Sequence, residues 1–178
     1  VNINMTDLLV TCGLGTGPEA AMMDPRHREI GWRYYGATID AESVDWSAQR
    51  IRLGIPETGY ELLADTYILE MRFEALNGVD FRKGCYIGQE VISRMKRAGK
   101  VSRYLTKFFV PPGVSPPCSI YSAGVEAGEI TTVTDFLRGD SGRLALGYRR
   151  RKFMEIDSFI LQHDQDSPAA DRVTVRTS

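Results

Sequence analysis

Apolar positions fall at helical spacing in only two stretches of this chain. Ile68, Met71, Ala75 and Leu76 share one helical face. Asp65 or Thr66 is placed to cap that helix by accepting an orphan amide, and Asn77-Gly78 to stop it in a left-handed turn. A second helix is predicted from about Gln89 to Ala98, with Val91, Ile92 and Met95 facing inward. Glu90 and Arg94 lie one turn apart on it as a favourable ion pair, and Gly99 closes it. Elsewhere the apolar runs are short. Arg50-Ile51-Arg52-Leu53 alternates and reads as a strand ended by Gly54-Ile55-Pro56. After Ser102 the pattern becomes strand-like throughout. Arg103–Val110 sets Tyr104, Thr106, Phe108 and Val110 on one face, and further strands are expected at Ser119–Tyr121, Glu129–Thr134, Leu144–Tyr148, Ile156–Leu161 and Arg172–Arg176. Gly139-Asp140-Ser141-Gly142 suits a hairpin turn between two of them. Texture therefore divides the chain near residue 101: an α+β part over 1–101, and a small antiparallel β-barrel or sandwich over 102–178.

Composition narrows the class without naming a function. At 178 residues, 43% hydrophobic and 25% charged, the chain has a globular composition and enough length for a real core. No apolar run approaches the roughly 18 residues of a membrane span, and Val1–Asp7 lacks the basic start of a signal peptide. Cys12, Cys85 and Cys118 form no CxxC pair, and an odd count makes a poor disulfide framework. With only His27 and His163 beside them, no metal site is expected, and a reducing compartment suits the three thiols. Gly13, Gly15 and Gly17 follow the apolar Leu8-Leu9-Val10, as in a dinucleotide loop. The third glycine of that motif would fall at Pro18, however, so a surface turn is the preferred reading. The sequon Asn4-Met5-Thr6 is too short to carry weight.

The stretch richest in chemistry is Arg82-Lys83-Gly84-Cys85-Tyr86-Ile87-Gly88-Gln89-Glu90. Cations and a helix start beside Cys85 favour a thiolate, while Gly84 and Gly88 permit positive φ or close approach to a ligand. The alternative is a small buried cysteine in a tight loop. Charge is concentrated here too. Residues 82–107 hold eight cations against one acid, Glu90, a net +7, which leaves −8 on the rest of a chain whose total is only −1. Such a segment suits either a polyanion, RNA included, or a solvated face paired with acids elsewhere. Arg149-Arg150-Arg151-Lys152 admits the same two readings. Glu70 and Glu74, one turn apart, are an acid–base pair in principle and an exposed helix face in the commoner case.

Lys83-Gly84-Cys85-Tyr86-Ile87-Gly88-Gln89-Glu90 followed by Arg94 resembles the K-G-C-Y-x-G-Q-E-x-x-x-R signature of the YgfZ family, folate-binding proteins related to the glycine cleavage T-protein, an aminomethyltransferase. Asp24-Pro25-Arg26, Gly31-Trp32-Arg33, Arg50 before Gly54-Ile55-Pro56-Glu57, and Gly78-Val79-Asp80-Phe81 extend the likeness over about residues 24–110.

That resemblance implies a tetrahydrofolate-binding lobe of ferredoxin-like units followed by a C-terminal β-barrel. It also implies a part in iron–sulfur cluster assembly or repair, with indirect effects on tRNA modification, in the bacterial cytoplasm or the mitochondrial matrix. Iron–sulfur proteins or assembly factors are then the implied partners. Cys85 would be the family's required cysteine, and Arg50 and Glu70 match positions around the folate site. Family members are longer at the N-terminus, so this chain, which opens on Val1, reads as the later part of a larger architecture. Arg52 stands where T-proteins commonly have Glu, and Ile68 where close relatives often have Pro. T-proteins carry F-x-G-R/K-E in place of the cysteine loop, and that loop, the more diagnostic feature, favours the YgfZ type. A folate-dependent aminomethyltransferase and an RNA-binding module remain the alternatives.

Overall fold

The computed structural model describes residues 9–137, 142–161 and 174–177. Three strands come first: β1 (Leu9–Gly13), β2 (Met22–Met23) and β3 (Trp32–Gly36), paired antiparallel in the order β1-β3-β2. Two helices follow, α1 (Trp46–Leu53) and α2 (Gln89–Arg97). The remaining strands are β4 (Arg103–Val110), β5 (Cys118–Ser122), β6 (Val125–Leu137), β7 (Arg143–Arg150), β8 (Ser158–Leu161) and β9 (Thr174–Thr177). They form a barrel in the order β4-β7-β6-β5-β8-β9, closed by the pairs Phe108↔Thr177 and Phe109↔Arg176. The fold is therefore mixed α and β with antiparallel sheets, and the barrel expected after residue 101 is present. Of the hairpin turn at Gly139–Gly142, residues 139–141 lie outside the described residues, as do the sequon and the first two residues of the strand expected at 172–176.

The barrel core forms where the inward residues of these strands meet. Phe108 and Phe159 are fully buried and meet edge to face, ring centroids 6.3 Å apart, among Val110, Ile120, Ile130 and Leu161. A second apolar layer lies outside the barrel wall. There Ile51 of α1 and Met71 pack with Leu105 of β4 and with Leu144 and Leu146 of β7. This explains why Leu144-Ala145-Leu146 is an unbroken apolar run: β7 is covered on both faces.

Two sequence expectations are corrected. Residues 50–53 are helical, not a strand. The Asp45 carboxylate caps α1 by accepting the Ala48 N–H at 2.9 Å, and Gly54 ends it at φ 70°. The Ile55 and Gly54 amides then donate to the carbonyls of Arg50 and Ile51, the paired bonds of a Schellman stop. Conversely, residues 66–78 form consecutive turns instead of an α-helix. The Glu70 carbonyl accepts the Leu105 N–H of β4 at 2.8 Å, and Arg72 sits at φ 61°, so the backbone bonds across to the barrel and cannot continue up a helix. The left-handed stop at Asn77 is as expected, at φ 58°. Helix α2 is in place, with its Glu90–Arg94 ion pair at 2.6 Å. Its inward face is not: Val91 is exposed, Ile92 and Met95 are half-buried, and no residue of α2 is buried.

The glycines of the first segment seat an indole. Trp32 is buried at the start of β3, and its Nε1 donates to the Leu14 carbonyl at 3.1 Å. A Cβ at Gly17 would lie 2.6 Å from Trp32 Cγ, and one at Gly13 would overlap the six-membered ring. Gly13→Ala is expected to destabilise the fold by about 1–3 kcal/mol through overpacking. Urea unfolding checks this, and an unchanged midpoint would show that the indole yields freely.

Candidate functional site: the Cys85 loop and an arginine-rimmed cleft

The segment joining the turns of 66–78 to α2 carries the signature residues. Cys85 is exposed, and so are Lys83, Gly84, Gly88, Glu90 and Arg94, while Tyr86 and Gln89 are half-buried. Lys83 Nζ lies over the Tyr86 ring at 4.9 Å, a cation–π contact that fixes one side of the loop. Gly88 has φ 88°, a conformation glycine adopts without strain, and it turns the chain directly into α2. Ile87 beside it is wholly exposed. A Cβ at Gly84 or Gly88 would meet nothing within 4 Å, so neither glycine is packed against the rest of the fold. The arrangement offers a sulfur to a partner molecule and gives it no packing role.

Arg50 lies elsewhere, on α1. It is buried, with Nε 2.6 Å from Glu57 Oε2 and Nη1 3.0 Å from Glu61 Oε2. Glu61 is itself buried. It accepts from the Glu57 amide at 3.0 Å and from the hydroxyls of Thr131 and Thr132 on β6 at 2.6 and 2.7 Å. Glu61 was not visible from sequence, because its two threonine partners follow it by about seventy residues. Glu70 is also buried and accepts from Ser102 Oγ at 2.7 Å and Arg103 Nε at 2.8 Å. The Arg103 guanidinium stacks on Tyr148, whose hydroxyl donates to Glu129 at 2.7 Å. Burial first, then that hydrogen bond and the Glu129 charge, push the Tyr148 phenol up to about 12 against the opposing charge of Arg103. Glu74 pairs with Lys96 and takes no part in this group. Arg50 and Glu70 thus belong to two ion-pair networks, and Arg50 and Glu61 of the one line a common cleft of about 680 Å³ with Arg103 and Tyr148 of the other.

Between β3 and α1 opens a cleft of about 580 Å³, whose lining includes Trp32, Trp46, Arg26, Arg33, Arg50 and Glu57. Its floor is set by Asp24, whose side chain is fully buried and accepts from Arg26 and Arg33 at 2.8 and 2.7 Å. Burial alone would raise the Asp24 pKa. The hydrogen bonds from Arg26 and the charges of both arginines overcome it and hold the carboxyl below its ordinary value of 3.8. A depressed folded pKa contributes stability above the unfolded value, and that contribution disappears as pH falls through the folded one. Asp24→Asn is therefore expected to flatten the acid side of the stability profile. Urea midpoints collected from about pH 5 down to about pH 2 test this, and an unaltered profile would count against it. In sequence, Asp24-Pro25-Arg26, Gly31-Trp32-Arg33 and Arg50 before Gly54-Ile55-Pro56-Glu57 supply much of this lining.

Among the described residues no group of three or more His, Cys, Asp and Glu side chains could hold a metal ion, and no helix is long and apolar enough to cross a membrane. No protein-family model matches the chain. It is 31% identical over 115 residues to an iron–sulfur cluster assembly factor IBA57 homolog, mitochondrial, of Mycosarcoma maydis, covering 58% of this chain and 28% of that protein. The counterpart of the same name in Neurospora crassa is 39% identical over 119 residues, 61% of this chain and 25% of that protein. The tRNA-modifying protein YgfZ of Aliivibrio fischeri is 35% identical over 63 residues, 35% of this chain and 20% of its own length. The matched region thus spans between a fifth and under a third of these relatives. The chain is a homologue of the IBA57 and YgfZ proteins, which bears out the YgfZ-family resemblance of its sequence.

Proposed function

We propose that this chain is part of a tetrahydrofolate-binding, YgfZ-type accessory protein that supports assembly or repair of iron–sulfur clusters and, through client enzymes, tRNA modification. The observation that carries this reading is Cys85, exposed with no packing role on the loop bearing the family signature. A thiol placed this way is available to a partner, whereas a structural cysteine is normally enclosed. The sheet β1–β3 with α1 is read as part of the ferredoxin-like folate lobe, ending at the change of texture near residue 101. The working compartment is the mitochondrial matrix or the bacterial cytoplasm.

The cleft beside α1 suits a reduced folate. Tetrahydrofolate supplies a carrier nitrogen for one-carbon groups, and the protein's task is to hold it. Trp46, partly exposed, offers an apolar face to a planar pterin above the buried Trp32, Glu57 offers a carboxylate to ring N–H groups, and Arg26 and Arg33 oppose an anionic glutamate tail. Arg50 is engaged with Glu57 and Glu61, so its part is to position Glu57. Glu70 would act at a distance, by fixing the turns of 66–78 against β4.

Cys85→Ala tests the main reading. In cells dependent on this protein, the variant is expected to abolish support of iron–sulfur enzymes while its melting temperature stays at the parent value. Full support by the variant would overturn the proposal. For the cleft, tetrahydrofolate should quench tryptophan fluorescence, and Trp46→Ala should weaken binding by about 2- to 10-fold. Unchanged binding would place the folate elsewhere.

A further inference from the structure

The two basic stretches of the sequence are separated by some forty residues, and the fold joins them. The Arg151 guanidinium donates to the Gly99 carbonyl just past α2, and the Arg151 N–H donates to the Ser102 carbonyl at 2.8 Å. These bonds pin the 3-10 turn Arg151–Phe153 against the end of α2. A concavity of about 610 Å³ results, lined by Ser102, Arg150, Arg151 and Lys152. Ser102 and Arg150 also line the adjoining cavity, which contains Tyr67. Tyr67 is 53% exposed.

The charges here are only partly answered. Arg94 meets Glu90, Lys96 meets Glu74, and Arg150 meets Glu126 at 2.5 Å. Arg97, Lys100 and Lys152 carry no ion pair among the described residues, and the Gly99 carbonyl that Arg151 bonds is neutral. Lys100 follows the Gly99 that Arg151 bonds, and Lys152 follows Arg151, so like charges are grouped here and an anion bridging them relieves their repulsion. Tyr67 apart, none of the large apolar side chains exposed among the described residues lines these two cavities. A protein partner of ordinary kind wants an apolar centre at its interface. A phosphodiester backbone needs only the cations, with an aromatic face for an unstacked base.

We propose that this shelf binds single-stranded RNA, its phosphates held by Lys100, Arg151 and Lys152 and one base stacked on Tyr67. This goes beyond the folate and cluster reading and does not rest on it, because neither Cys85 nor the cleft at α1 is used.

The test is fluorescence anisotropy of a labelled single-stranded RNA of about 12 nucleotides with the whole chain, without folate, across roughly 50–200 mM salt. Affinity is expected to fall steeply, log K losing about 0.7 per tenfold salt for each phosphate engaged. Lys100→Ala and Lys152→Ala should each weaken binding and flatten that slope. Tyr67→Ala should weaken binding about fivefold or more and leave the slope unchanged. Arg28→Ala, on a different turn, should change neither, and the melting temperatures of all four variants establish that they fold. A flat salt response, or variants that bind like the parent, would overturn the proposal. So would polyglutamate binding as tightly as RNA at equal salt, which would mark the shelf as a site for acidic protein.

Discussion

Glu61→Ala is expected to destabilise this protein by about 3–5 kcal/mol, the range seen when one partner of a buried ion pair is removed. Glu61 joins three parts of the chain. One carboxylate oxygen takes Arg50 of α1 and the Glu57 amide, and the other takes Thr131 and Thr132 of β6. Removing it leaves Arg50 buried with the half-exposed Glu57 as its one remaining acidic partner, and leaves the two hydroxyls without that acceptor. The desolvation cost of those groups then stays while the compensation is gone. Urea unfolding followed by circular dichroism gives the magnitude. Glu61→Gln, which keeps the shape and loses the charge, should fall between the parent and alanine. A loss below about 1 kcal/mol for alanine would mean that the carboxylate behaves as a surface ion pair.

Phe108→Ala should have an effect of similar size, about 3–5 kcal/mol, by opening a cavity at the centre of the barrel. The informative comparison is Met71→Ala, expected to cost about 2–5 kcal/mol, because Met71 belongs to the layer outside the barrel wall. That layer draws residues from both sides of position 101. Both variants are therefore expected to lower the midpoint of one common transition. Two separable transitions, each sensitive to a single variant, would show that the change of texture near 101 also divides the cooperative unit.

What could be read from the sequence follows a physical division. Strands β4 to β8 were legible because alternation and turn residues are local signals, and barrel burial obeys the same period. Helix α1 was misread because Arg50 and Arg52 flank Ile51 as they would in a strand. Its real markers were the cap at Asp45 and the stop at Gly54, two positions outside that alternating run. The turns of 66–78 were misread as a helix for the opposite reason. Periodicity was present, but Glu70 is bound through both its carboxylate and its carbonyl to the start of β4, and that long-range demand overrides local preference. The Cys85 loop could be located from its residues alone. The cleft could not, since it needs Trp32 seated on glycines and Asp24 drawn under two arginines, contacts that no spacing rule encodes.

One consequence concerns α2, none of whose residues is buried, and the loop that leads into it. Elsewhere in the chain a harmful substitution acts mainly by weakening the folded state. Between Lys83 and Arg97 there is little packing to lose, so most changes should leave the unfolding midpoint within about 0.5 kcal/mol of the parent. A survey of every substitution, scored for both abundance and activity, would then separate into two classes along the chain. Positions in this stretch that tolerate no change while the protein stays abundant would be those that another molecule touches.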